Sequence, residues 1–109
     1  MFDIYKKKVT IQDNNGNATV YELLPLSGKY MSKLMTLVKE LSKTKDKKED
    51  EALDNISEKA IDLLTELLLE TFKKSYPKED VIILDAFVAQ NMFALIEPLM
   101  EVNLNNKQA

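Results

Sequence analysis

The amino-acid sequence predicts a mostly α-helical α+β protein, in which an N-terminal β-hairpin precedes a bundle of three to four helices. Its 109 residues, 45% hydrophobic and 30% charged, have the composition of a single globular domain spanning residues 1–109. Apolar and polar residues alternate only near the N-terminus, which is typical of strands. From residue 27 onward the apolar residues recur every three or four positions, as in amphipathic helices.

The β-hairpin is predicted at residues 6–24. Val9 and Ile11 alternate with polar residues in the first strand, and a β-rich pattern returns at Thr19–Leu23. Between them lies a cluster of turn-forming residues in which Gly16 can take a positive φ. Because an isolated two-stranded hairpin is only marginally stable in water, this one must pack on the helices or pair with another chain.

The first helix is predicted at residues 27–42, with Ser27 as its N-cap. Its apolar side chains fall on one side: Tyr30, Met31, Leu34, Met35, Leu37, Val38 and Leu41. The opposite side is basic: Lys29, Lys33 and Lys39. The next segment, 43–50, contains no apolar residue, so we expect a mobile, charged loop there.

The second helix is predicted at residues 51–75. It is expected to end there because the proline after Tyr76 disfavours helical geometry in Tyr76. Its outer face carries an acidic side chain every four residues: Asp54, Glu58, Asp62, Glu66 and Glu70. Leu69 and Phe72 project toward that acidic side. The C-terminal half of the helix is therefore apolar nearly all round, and we expect it to be buried on more than one face.

The remaining apolar sequence, residues 79–102, predicts helices 3 and 4. The β-branched start of this region, Val81–Leu84, also suits a short strand, so both structures remain open there. Asn91 is a candidate cap for the last helix, and Pro98 is expected to kink that helix because it removes one backbone hydrogen bond. Residues 103–109 are polar and are expected to form a flexible tail.

Residue types and net charge argue against several functional classes. The sequence contains no Cys and no His, and all 15 basic residues are Lys. The commonest general base, the commonest transition-metal ligands and the bidentate Arg fork are therefore missing. We expect no enzyme, no catalytic residues, no metal and no cofactor. The net charge of −3 argues against nucleic acid as a partner, and no apolar run is long enough to cross a membrane.

Two sets of residues suggest that the protein binds other chains. Large apolar side chains exceed what one small helical core obviously needs, and they are candidates for partner binding: Leu69, Phe72, Phe93 and Met100. The alternative is that all of them meet inside one bundle. The second set is charged and is a candidate for self-association: Lys29, Lys33 and Lys39 on one chain against Asp54, Glu58, Asp62 and Glu66 of the next. Head-to-tail contacts of this kind generate rings or spirals.

The order of these elements resembles the tail assembly chaperones of long-tailed bacteriophages and prophages. The similarity covers roughly residues 6–103. It lies in the order of the elements and in their apolar and charged patterns more than in any invariant motif. The segments that carry it are, in order, Tyr21–Leu26 after the hairpin, Lys33–Leu34 in the first helix, the charged loop, Ala60–Leu64, Ser75–Pro77 and Phe87–Asn91.

This resemblance implies a non-enzymatic protein of the host cytoplasm that is not expected in the mature virion. Such chaperones bind and solubilise the tape-measure protein and help to recruit tail-tube subunits, so the implied partners are the tape-measure protein and possibly the tail-tube protein. The family also has a frameshifted long form, and the present chain would correspond to the short form. Two alternatives are a structural head–tail connector or tail-completion protein, and a small bacterial regulatory protein that binds DNA.

Overall fold

The computed structural model describes residues 6–13, 15–42 and 56–104. It confirms the predicted fold class, a mostly helical α+β protein that begins with a hairpin. Strands β1 (Lys7–Gln12) and β2 (Ala18–Leu23) pair in antiparallel fashion, with Val9 opposite Tyr21. The turn between them is closed by a 2.9 Å hydrogen bond from the Asp13 N–H to the Asn17 carbonyl. Gly16 has a φ of 83° there, which a residue without Cβ adopts at little cost.

Helix α1 (Met31–Ser42) begins four residues after the predicted start. Gly28–Tyr30 form a 3₁₀ turn before it, and the Ser27 side chain makes no capping hydrogen bond. The expectation that Ser27 caps an α-helix is therefore wrong, because the tighter turn satisfies the first N–H groups through backbone bonds. The predicted mobile loop at 43–50 lies outside the described residues.

Helix α2 (Glu58–Ser75) also begins later than predicted. The Ser57 hydroxyl accepts a 3.0 Å hydrogen bond from the Ala60 N–H, and its extended backbone ends any helix on its N-terminal side. The prediction of a helix from residue 51 is thus wrong at Ile56 and Ser57, and residues 51–55 lie outside the described part of the chain. The apolar stripe of α2 forms the centre of the fold, with α1 and the third helix packed against it.

Helix α3 (Val81–Asn91) resolves the ambiguity at its start. The Asp80 carboxylate accepts a 2.8 Å hydrogen bond from the Ile82 N–H, an N-cap that fixes the first turn. The β-branched Val81–Leu84 segment is therefore helical and not a strand. Local capping outweighs the moderate preference of these residues for strands.

A sharp bend follows α3 at Met92. A 3₁₀ turn (Phe93–Leu95) leads into α4 (Ile96–Leu104), and the two helical segments meet at 86°. Asn91 does not cap the last helix but ends α3, with its side-chain amide donating to the Phe87 carbonyl at 3.0 Å. Pro98 does not kink α4 either, since it lies in the first turn, where no intrahelical partner for its N–H is needed.

The start of the predicted tail is helical. Asn103 and Leu104 belong to α4, and only 105–109 fall outside the described residues. The Asn103 side-chain oxygen accepts a 2.7 Å hydrogen bond from the Leu26 N–H, while its amide donates to the Leu99 carbonyl. The first bond links α4 to the segment after the hairpin, and the second lies within α4. Together they satisfy the polar side chain of Asn103, so this residue continues the helix.

The core joins all of these elements. Its buried apolar side chains are Leu23, Leu26, Leu34, Leu37, Ala60, Leu64, Leu67, Leu68, Phe72, Leu84, Val88, Met92, Leu95, Leu99 and Val102. The hairpin packs against α2 and α4, and the hydroxyl of Tyr76 accepts a 2.8 Å hydrogen bond from the Glu22 N–H at its outer edge. The helices thus supply the support that the hairpin lacks alone.

Candidate partner-binding surface

An apolar stripe on α3 remains exposed to solvent. We call it the α3 face and define it as Ile82, Ala86 and Ala89, which lie three or four residues apart and so on one side of the helix, together with Phe93 of the 3₁₀ turn that follows α3. Ile82 is 78% exposed and Phe93 48% exposed. Ile82 and Ala89 are separated by about 10 Å along the helix axis. The α3 face is therefore long enough to receive about two turns of a partner helix.

The packing of α3 explains this exposure. Leu84 and Val88 lie on the opposite side of the helix, where they are buried in the core. The half-buried Phe87 packs against the core beside them, whereas the residues of the α3 face are not among the side chains that pack on the described core. Exposed apolar residues at helical spacing are typical of a surface that binds another protein.

An aromatic cluster lies beside the start of α3. The ring centroid of Phe87 is 4.7 Å from that of Tyr21 and 5.3 Å from that of Phe72, while Tyr76 stacks on Phe72 at 6.2 Å. Next to it is an apolar hollow of about 300 Å³, also lined by Ile83, which is 58% exposed. Ile83 and Phe87 lie about a third of a turn around α3 from the α3 face, so the hollow opens beside that face and not on it.

A second, more polar cleft of about 470 Å³ separates the hairpin from the C-terminal half of α3. Ile11, Thr19 and Tyr21 line it from the hairpin, and Gln90 and Asn91 line it from the helix. Its lining includes the hydroxyl of Thr19 and the side-chain amides of Gln90 and Asn91, which are groups that can hydrogen-bond a peptide backbone. Both cavities border α3.

The four apolar residues predicted to bind a partner lie in different surroundings. Phe93 belongs to the α3 face. Phe72 is only 1% exposed within the aromatic cluster, so its assignment to a partner surface is wrong. Its position on the helix suggested exposure, but rings from β2 and α3 cover it. Leu69 is half-buried against the core, and Met100 is half-buried beside Val38 and Leu41 at the end of α1.

Sequence analysis missed three of the four residues of the α3 face. Ile82, Ala86 and Ala89 belong to a segment that is apolar almost all round, with Asp85 as the main exception. That pattern indicated burial but gave no information about which side of the helix packs against α2. An apolar helix without a polar face was the signal that could have identified this surface.

The charged residues predicted for self-association are partly paired within the chain. Lys33 of α1 donates a hydrogen bond to the Glu66 carboxylate of α2, and this bond raises the pKa of Lys33. Lys29 lies over the ring of its neighbour Tyr30, 5.2 Å from the ring centroid. All described residues of this set except Glu66 are exposed, Lys39, Glu58 and Asp62 among them, and Asp54 lies outside the described residues. The predicted contact between chains thus competes with a contact inside one chain.

Within residues 6–13, 15–42 and 56–104, no cluster of three or more acidic side chains could hold a metal ion. Over those residues, no individual helix has the length and apolar character to span a membrane, and the α3–α4 segments reach it only as a pair bent by 86°.

Comparisons with protein-family models, with curated proteins and with solved structures found no match.

Proposed function

We propose that this protein is a phage tail assembly chaperone that binds the tape-measure protein through the α3 face and keeps it soluble. The observation that carries the proposal is the exposed stripe Ile82, Ala86, Ala89 and Phe93. The order of hairpin and helices, which resembles that family, supplies the identity of the partner. Recruitment of tail-tube subunits and assembly of several chains along the tape measure belong to the same proposal.

The shape of the α3 face suits a helical partner. Ala86 and Ala89 are small and allow another helix to approach closely, while Ile82 and Phe93 provide bulk at either end. Packed helices lie about 8–10 Å apart, and small residues at the contact favour the shorter distance. A long partner helix with apolar residues at i, i+3, i+4 and i+7 would bury this stripe. Each chaperone chain then covers a short length of helix, and many weak contacts along one partner add up by multivalency.

The direct test is co-expression with the tape-measure gene from the same phage or prophage cluster. We expect the chain to raise the soluble fraction of the tape-measure protein and to copurify with it. Ile82→Lys should lower that soluble fraction, because full burial of an Ile side chain contributes about 1.5–3 kcal/mol. That range corresponds to roughly 10- to 100-fold weaker binding for each contact.

Val20→Lys is the matched control. Val20 is also a β-branched, exposed residue, at 59% exposure, but it lies on the hairpin and outside the α3 face. It receives the same change in charge and should leave copurification intact. If wild-type chain fails to solubilise the tape-measure protein, the proposed function is wrong; if Ile82→Lys behaves like Val20→Lys, the α3 face is not the contact.

Mass spectrometry of purified virions tests where the protein acts. A chaperone of the host cytoplasm should be abundant in infected cells and depleted from mature particles. Recovery in particles at a stoichiometry similar to that of other tail proteins would favour the alternative of a connector or tail-completion protein.

A further inference from the structure

Among the described residues, no hydrogen-bond partner meets the backbone groups at the outer edge of β1. In an antiparallel pair of strands, the N–H and C=O groups of one residue both point toward the neighbouring strand, and those of the next residue both point away from it. Asp13 bonds to Asn17 across the turn, and the Glu22 N–H points outward to the Tyr76 hydroxyl. With the observed register, this alternation places the N–H and C=O groups of Lys8, Thr10 and Gln12 on the side away from β2.

The two edges of the hairpin are not equivalent. At the β2 edge, the Glu22 N–H is occupied by Tyr76, and the next outward N–H, that of Leu24, donates to the Ser75 hydroxyl at 3.2 Å. On β1, the side chains of Lys8, Thr10 and Gln12 are all exposed, and β2 is the only strand that pairs with β1 in the described ranges. An open edge of this kind is a template for another strand.

We propose that β1 pairs with β1 of a second copy in antiparallel fashion, centred on Thr10, to give a four-stranded sheet across a two-fold axis. Thr10 then faces Thr10 of the second copy, and Lys8 faces its Gln12. In this register, the residues whose backbone groups point away from β2 lie opposite the equivalent residues of the second copy. Roughly six backbone hydrogen bonds then form between the two copies. The proposal goes beyond the proposed function and does not depend on it.

The side chains match in the same register. Val9 comes opposite Ile11 of the second copy, so half-buried apolar residues meet on the inner face of the sheet. Lys7 comes opposite Asp13, but the Lys7 ammonium already binds the Glu101 carboxylate at 2.6 Å within the chain, so the choice of register does not depend on this pair. No two lysines of residues 7–12 face each other, and the central Thr–Thr pair is a favourable cross-strand pair. This complementarity selects a second copy of the chain as the occupant of the edge.

The interface is small, so the dimer should be weak and depend on concentration. Sedimentation velocity of wild-type chain between about 1 µM and 1 mM should reveal a reversible shift from monomer to dimer, with a dissociation constant weaker than about 1 µM. Thr10→Pro should weaken association at least about tenfold. Its N–H points outward, so proline removes a bond to the second copy and none to β2.

Cysteine cross-linking tests the register itself. The chain has no cysteine, so a disulfide in Thr10→Cys can only join two copies. Directly opposed residues of a hydrogen-bonded pair have Cα atoms about 5.5 Å apart, within the range that a disulfide spans. The control is Val20→Cys, because Val20 lies directly opposite Thr10 in the hairpin and is also exposed, but on the other edge.

We expect Thr10→Cys to form dimers at least about tenfold faster than Val20→Cys under mild oxidation. Circular dichroism of both reduced variants shows whether they retain the wild-type fold. Equal cross-linking rates for the two variants overturn the proposal, and so does a wild-type chain that stays monomeric at about 1 mM. Either result alone overturns the proposal. Neither measurement uses Thr10→Pro, so both remain valid if that variant fails to fold.

Discussion

Replacing Phe72 by alanine should destabilise the whole fold, although its position on α2 first suggested a partner surface. The ring is 1% exposed and contacts three other aromatic residues: Tyr21, Tyr76 and Phe87. Truncation of a buried Phe to Ala costs about 3–5 kcal/mol, since it combines lost burial with a cavity. A domain of this length has a free energy of unfolding of about 5–15 kcal/mol. The substitution therefore removes a large part of the total.

Urea denaturation followed by circular dichroism measures this loss. With a slope of about 1–3 kcal/mol per molar urea, the midpoint should fall by at least about 1 M. Phe93→Ala is the matched control, because it removes the same side chain from a position that is 48% exposed. Its destabilisation should be below about 1 kcal/mol, in the range of surface substitutions.

The comparison of the two variants decides where each ring acts. If Phe72→Ala unfolds at the same urea concentration as Phe93→Ala, Phe72 is not a core residue and the aromatic cluster does not hold the hairpin against α2. If Phe93→Ala is as destabilising as expected for Phe72→Ala, the α3 face is part of the core and the proposed binding surface is wrong.

Three further substitutions test local interactions. Tyr76→Phe should cost about 0.5–1.5 kcal/mol and speed hydrogen exchange at the Glu22 amide, since it removes the acceptor of that N–H; unchanged exchange would contradict the bond. Asp80→Ala should cost about 0.5–2 kcal/mol by removing the α3 N-cap, with helix content by circular dichroism as the measurement. Lys33→Gln should flatten the alkaline end of the stability–pH curve. Because the bond to Glu66 raises the pKa of Lys33, its contribution is present below the unfolded value near about 10.4 and is lost as the pH rises through the folded value; an unaltered alkaline limb would contradict this.

Local chemistry explains which parts of the fold could be predicted from sequence. The alternation around Val9 and Ile11 and the glycine in the turn determine the hairpin, and both features are encoded within a few residues. Helix starts were less predictable, because Ser27, Ser57 and Asn91 are all acceptable caps and only the tertiary structure selects among them. The bend lies at Met92, six residues before Pro98, so the position of the proline did not predict it.

The candidate site was less accessible to sequence reasoning for a different reason. Burial of Phe72 depends on Tyr21, which is about fifty residues away in the chain, and helical spacing contains no information about such contacts. Conversely, the segment around Ile82 is apolar on almost every side apart from Asp85, so its pattern does not distinguish an exposed side from a buried one. In both cases the side of the helix that meets the rest of the protein is fixed by long-range packing.

The residues of the α3 face require an explanation that folding of the single chain does not provide. Leu84 and Val88 anchor α3, so Ile82→Lys should change the free energy of unfolding by no more than about 0.5 kcal/mol. Exposed Ile side chains also promote non-specific association, which makes polar residues preferable at such positions unless a partner covers them. A variant that is as stable as wild type yet no longer solubilises its partner would separate the two roles of α3. Its buried side would then serve folding, and its exposed side would serve binding.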